Sequence, residues 1–135
     1  MKVKVLNFGY EKLPLRAHAN DAGADVHAVG NHIIFPHKTA KIPLGLGLVL
    51  PDGYMACVYP RSGLSSEGIV CELPPIDSGY RGEIHAIVSN LSEEPFAIHN
   101  GDRIGQLVIT PVVVADFITD DIEERGDNAF GSTGI

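Results

Sequence analysis

The stretch "YPRSGLSSEG" runs a strand-like segment into Pro60 and then presents Arg61, Ser62 and the amide of Gly63. A helix starting there would offer unpaired N–H groups beside the forked guanidinium of Arg61, the outline of an anion site. The plain alternative, favoured when the segment is taken alone, is a capped turn with an exposed arginine. In "PPIDSGYRGEIHAIVSN", Asp77 follows the apolar Ile76 and precedes a turn, with Tyr80 and Arg81 close behind. An aspartate in that place is usually a turn former. A partly buried carboxylate there can also accept a proton from water, with the tyrosine ring packed against a ligand. In "NDAGADVHAVG", Asp21 and Asp25 stand among small residues at a tight turn entering a strand. One of them can hold a magnesium-bound water, since Mg²⁺ reaches protein through only one or two carboxylates when phosphates supply its other ligands. Arg103 and Gln106 of "DRIGQLVI" fit equally as solvent-facing strand residues or as polar donors to a ligand.

The elements that must position these residues are short strands. Period-two or fully apolar runs dominate: "KVKVLNF", "HIIF", "KIPLGLGLVL", "GYMACVYP", "EIHAIVSN" and "RIGQLVITPVVV". Turn formers such as Pro51-Asp52-Gly53 and Asn100-Gly101-Asp102 separate them at the spacing of a sandwich or barrel. Fifteen glycines and nine prolines weigh against helix. The one helical candidate follows Pro60, "RSGLSSEG", with room for two turns. The apolar pattern stops near Thr119, where acidic residues gather and the glycine-rich "RGDNAFGSTGI" follows. We therefore expect a β body over residues 1–118 and a C-terminal arm over 119–135.

A chain of 135 residues is the size of one domain and can bury a core without staples. Its hydrophobic content of 44% and charged content of 20% are globular values, and no apolar run is long enough to cross a bilayer. The first residues lack the pattern of a secretory signal, so a cytoplasmic location is expected. Cys57 and Cys71 have no zinc-ligand spacing and read as buried reduced thiols. A formal charge of −7 disfavours a nucleic-acid groove but allows a small anionic ligand held by a few convergent donors. His27, His32 and His37 fall five apart, on alternating faces of any strand, and read as surface or turn residues. Neither Gly-x-Gly-x-x-Gly nor a P-loop sequence is present.

Taken in order, "AGADVHA", "PRSGLSSEGI", "PPIDSGYRGEI", "DRIGQLVI" and "RGDNAFGSTG" resemble the five motifs of the homotrimeric dUTPases, over about residues 22–134. The compact length and the short segment between the second and third motifs look most like phage-type members. The resemblance implies an all-β, jelly-roll-like (β-clip) subunit with one short helix, and three active sites formed where subunits meet. It implies hydrolysis of dUTP to dUMP and pyrophosphate, which limits uracil incorporation into DNA and supplies dUMP for dTMP synthesis. By motif, Arg61, Ser62 and Gly63 would hold the phosphates and Gln106 the region of the α-phosphate. Tyr80 would pack under the deoxyribose, where a 2′-hydroxyl would clash. Asp25 would hold Mg²⁺ through water, and Asp77 would orient and deprotonate the water that attacks the α-phosphorus in line. The arm of a neighbouring subunit would close over the nucleotide, with Phe130 on uracil, Arg125 at the γ-phosphate and Gly131, Ser132 and Thr133 around the phosphate end. No nucleic acid or membrane partner is implied; a regulatory protein partner stays open.

Four positions, in three places, depart from the motifs. Pro74 and Pro75 stand where the third motif has glycine and a small apolar residue, and neither has an N–H to offer a base. Donors would then have to come from neighbours such as Leu73 or Ile76. Gly79 replaces the common aspartate before the tyrosine, and Gly105 a frequent alanine, a change expected to be mild. The related dCTP deaminases share an Ile-Asp-x-Gly-aromatic segment, but their catalytic glutamate would align with Ile87, which cannot transfer a proton. A nucleotide-gated binding module would look nearly the same; retention of Asp77 favours hydrolysis. A purely structural jelly roll would have no use for Arg125 and Phe130 in a glycine-rich arm.

Overall fold

The computed structural model describes residues 1–120 and contains ten strands and one helical turn. The strands are β1 (Lys4–Asn7), β2 (Ala24–His27), β3 (His32–Ile34), β4 (Thr39–Pro43), β5 (Leu46–Val49), β6 (Tyr54–Tyr59), β7 (Ile69–Glu72), β8 (His85–Asn90), β9 (Phe96–Ile98) and β10 (Arg103–Pro111), with α1 (Ser62–Ser65) between β6 and β7. All pairings are antiparallel, in four small sheets ordered β1-β5, β2-β10-β6, β3-β9 and β4-β8-β7. The expected all-β architecture is what the chain adopts.

The sheets close around one apolar core. Alternation decides which side chains enter it: on β8, Ala86 and Val88 are fully buried while His85 and Ile87 face the other way. Val26, Ile34, Ile42, Leu44, Leu46, Leu48, Val58, Ile98 and Ile104 complete the centre from both sides.

Local outcomes differ from the linear reading in four places. The run "KIPLGLGLVL" is two strands, because Gly45 takes φ +74° and a Cβ there would sit 2.6 Å from the Tyr10 amide nitrogen. The helical candidate is a single turn: Ser65 N–H donates to Arg61 O and Ser66 N–H to Ser62 O, and the following bonds tighten to i,i+3 spacing, from Glu67 to Leu64 and from Gly68 to Ser65. β7 and β9 have no alternating pattern of their own and exist because β8 and β3 offer them an edge. His27 is not a surface or turn residue; it lies half-buried in β2, and its Nδ1 is buried without a hydrogen-bond partner among the described residues. Burial, and then the nearby positive charge of Lys12, lower its pKa.

Both cysteines are free thiols, Cys57 buried and Cys71 half-buried, in line with the expectation from sequence. After β10 the chain continues without regular structure to Asp120, and Val113, Val114, Phe117 and Ile118 stand almost fully exposed. Arg125, Phe130, Gly131, Ser132 and Thr133 lie outside the described residues.

Candidate active site

Two separate groups of the expected residues form in one chain. The first surrounds the segment after β7. Ile76 pairs in isolation with Ala56 of β6, and both backbone bonds are made: Ile76 N–H to Ala56 O at 2.7 Å and Ala56 N–H to Ile76 O at 3.1 Å. This bridge anchors the segment from Leu73 to Tyr80 over the outer face of the β4-β8-β7 sheet. Asp77 follows at once, and its carbonyl accepts the Tyr80 amide at 3.1 Å, the turn expected there. The Asp77 carboxylate was expected to be partly buried; in the single chain it is exposed. The Tyr80 hydroxyl donates to Glu83 O at 2.8 Å, which fixes the ring, and Arg81 folds back on Ser78 O at 2.6 Å. Asp77, Tyr80, Pro74, Pro75 and Ile76 roof a cavity of about 220 Å³ whose floor carries Lys41, Glu72, His85 and Ile87.

The prolines act as the sequence suggested. Pro74 and Pro75 contribute no donor, and the carbonyl of Pro74 lies 3.9 Å from the Cys57 thiol. Ile76, expected to offer an amide to a base, does not: that N–H is committed to Ala56. Leu73 is exposed. At Gly79 a Cβ would meet nothing within 4 Å, so no packing demand explains the glycine. At Gly105 a Cβ would come within 2.8 Å of Val58 Cγ1 and 3.0 Å of Tyr59 O. A Gly105→Ala exchange in this chain would force buried Val58 to move.

The second group sits at the other end of β6. Arg61 extends the strand beyond Pro60 and its Nη1 donates to Arg103 O at 3.4 Å. Arg103 in turn lies 3.6 Å from Asp25, whose side chain is only 15% exposed. Gln106 of β10 stands opposite Tyr59 on one side and Asp25 on the other. Gly23 is needed beneath it, since a Cβ there would approach Gln106 Cβ and Oε1 to 2.8 Å. Arg61 and Arg103 share a surface cavity of about 300 Å³ with Asp102 and Leu64 of α1; Ser62 and Gly63, at the start of α1, are exposed. A single helical turn has almost no macrodipole, so the anion character of this end rests on Arg61, Arg103 and the free amides of the first turn. Sequence reasoning left Arg103 undecided between solvent and ligand; its ion pair to Asp25 identifies it as the group that orients that carboxylate.

Asp21 points elsewhere, bound to the backbone and ring of His18. Among the described residues no three His, Cys, Asp or Glu side chains come together as a metal site.

Comparison with known proteins settles the kinship. The dUTPase family model matches residues 10–134. This chain belongs to the dUTPase family. Deoxyuridine 5'-triphosphate nucleotidohydrolase of Corynebacterium glutamicum is 42% identical over 98% of this chain and 94% of its own. Among solved structures, a mutant of the dUTPase of phage phi11 of S. aureus, described with a structural Mg(II) ion, superposes with a TM-score of 0.85 at 24% identity, covering 92% of this chain and 99% of that one. A variant of the Staphylococcus bacteriophage 80alpha dUTPase with dUpNHpp gives 0.84 at 27% identity, covering 97% and 98%. These likenesses cover both groups of residues described above, and the jelly-roll architecture of the family accounts for the four small sheets. No described helix is long and apolar enough to span a membrane.

Proposed function

We propose that this dUTPase hydrolyses dUTP to dUMP and pyrophosphate in a homotrimer whose active sites each combine the Asp77–Tyr80 group of one chain with the Arg61–Gln106 group of another. The observation that carries the shared site is the position of the Ile76–Ala56 bridge. Ala56 lies five positions before Arg61 on the same extended segment, about 16 Å away at roughly 3.3 Å per residue. A nucleotide bound at Tyr80 therefore meets phosphate donors most readily from a second copy.

In this reading Tyr80 packs against the deoxyribose, and Arg61, Ser62, Gly63 and Gln106 hold the triphosphate. Asp77 accepts a proton from water as its oxygen attacks the α-phosphorus, and the bond from that phosphorus to the bridging oxygen of pyrophosphate breaks. The work is positioning and charge neutralisation, as phosphoryl transfer demands. Asp25, beside Arg103, would hold Mg²⁺ through a bound water, with phosphates supplying other oxygens. Such an ion would neutralise phosphate charge when bound. The residues from 119 onward serve as the arm, with Arg125, Phe130, Gly131, Ser132 and Thr133 closing over nucleotide bound to a neighbouring chain. Removal of dUTP limits uracil in DNA, and the dUMP released supplies dTMP synthesis. The site is cytoplasmic in this reading.

The test is pyrophosphate release from dATP, dCTP, dGTP, dTTP and dUTP, each at equal concentration with Mg²⁺. Release confined to dUTP is expected; comparable release from all five would reject a uracil-specific enzyme.

A further inference from the structure

A 2,4-dioxopyrimidine presents an edge of acceptor, donor and acceptor, and the cavity under Tyr80 has few backbone groups to meet it. Pro74 and Pro75 lack N–H groups and the Ile76 amide is spent on Ala56 at 2.7 Å. Several other groups lining the cavity are engaged as well. A Glu83 carboxylate oxygen accepts the Gly45 amide at 3.0 Å, the Tyr80 hydroxyl is donated to Glu83 O, and His85 Nδ1 lies 3.3 Å from the same carbonyl. Apart from Asp77, the proposed base, two charged groups remain. Lys41 and Glu72 are each level with Ile87 in the β4-β8-β7 sheet, one on either side. Both are exposed, both line the cavity, and neither takes part in an ion pair with another described residue.

We propose that Lys41 and Glu72 read the polar edge of the pyrimidine in this enzyme, Lys41 donating to a ring carbonyl and Glu72 accepting the N3–H. The inference rests on the proposed hydrolysis of dUTP. Two strand spacings, about 10 Å, separate the two Cα atoms, a gap that side chains of this length can close upon one ring. The pair discriminates by chemistry: an ammonium only donates and a carboxylate only accepts. Cytosine carries a lone pair at N3 where uracil carries a proton, so a carboxylate facing N3 repels cytosine and holds uracil. Side-chain readout also explains how the prolines are tolerated in a segment that must face a base.

The experiment compares the unsubstituted protein with Lys41→Met, Lys41→Arg and Glu72→Gln for hydrolysis of dUTP and dCTP. Direct binding of dUMP and dCMP is measured alongside, and thermal melting confirms that each variant is folded. Lys41→Met should raise KM for dUTP about 10-fold or more, the effect of losing one charged hydrogen bond, with kcat within about threefold. Lys41→Arg should recover most of the loss. Glu72→Gln, whose amide can also donate, should lower the preference for dUTP over dCTP, and for dUMP over dCMP, by about 10-fold. If the unsubstituted protein is active on dUTP but Lys41→Met and Glu72→Gln keep its KM and its base preference within about twofold, the readout is wrong while the enzyme assignment stands. An unsubstituted protein inactive on dUTP removes both.

Discussion

Ile76 and Ala56 exchange both backbone hydrogen bonds, at 2.7 and 3.1 Å, and this one bridge fixes where Asp77 and Tyr80 stand relative to β6. It ties them to the early part of the strand whose far end carries Arg61. The same bridge removes Ile76 from the groups able to read a base.

Asp77→Asn should keep the fold and nucleotide binding but lower turnover by at least about 10²-fold, because shape is preserved while the proton acceptor is lost. Asp77 is exposed, and its carbonyl closes the turn to Tyr80, which asparagine can also make. Steady-state kinetics beside a binding isotherm for dUMP would check this. Turnover near that of the unsubstituted protein would remove Asp77 as the base.

Mixed assemblies test the division of the site. Asp77→Asn and Arg61→Gln should each be nearly inactive alone. Unfolded together in equal amounts and refolded, they should regain about one quarter of full activity, since a site drawing its two groups from different chains finds both intact in that fraction under random assortment. Confirmed mixed trimers with no gain over either parent would place both residues of a site in one chain.

Tyr80 should set sugar selectivity. Tyr80→Ala is expected to improve UTP relative to dUTP by about 10-fold or more by removing the ring that excludes a 2′-hydroxyl. Gly82→Ala is a second probe, because a Cβ there would lie 2.5 Å from the Tyr80 hydroxyl and drive the ring off Glu83 O. It should raise KM for dUTP and relax the sugar preference in the same direction. The ratio of kcat/KM for the two nucleotides is the measurement; an unchanged ratio in both variants would place the sugar filter elsewhere.

The thiols should be slow to react in the folded protein. Burial above all, with Cys57 and the Glu72 carboxylate adding to it, pushes the Cys71 thiol up to about 11, and burial raises Cys57 too. At pH 8 the thiolate fraction of Cys71 is then about 10²-fold below that of an ordinary thiol. Mass spectrometry after iodoacetamide treatment should show alkylation slowed by at least that factor in the native protein and restored in urea. Rapid modification of Cys71 in the folded state would contradict its burial.

The order of the five motifs, the all-β character and the identity of the candidate site residues could be read along the chain, because each depends on local composition: apolar alternation, turn formers, and Arg61, Asp77 or Gln106 beside particular neighbours. The absence of N–H groups at Pro74 and Pro75 was equally legible, being covalent. What only the tertiary structure decided depends on pairing across long sequence distances. β7 and β9 are strands because β8 and β3 receive them, and the Ile76 amide is spent because Ala56 stands opposite. Arg103 orients Asp25 because β10 lies beside β2 in one register and not the next. Lys41 and Glu72, far apart in the chain and outside the motifs, both line the cavity under Tyr80 because both flank Ile87. Hydrogen-bond register is a property of two strands at once, and a single strand's sequence states only which of its faces is apolar.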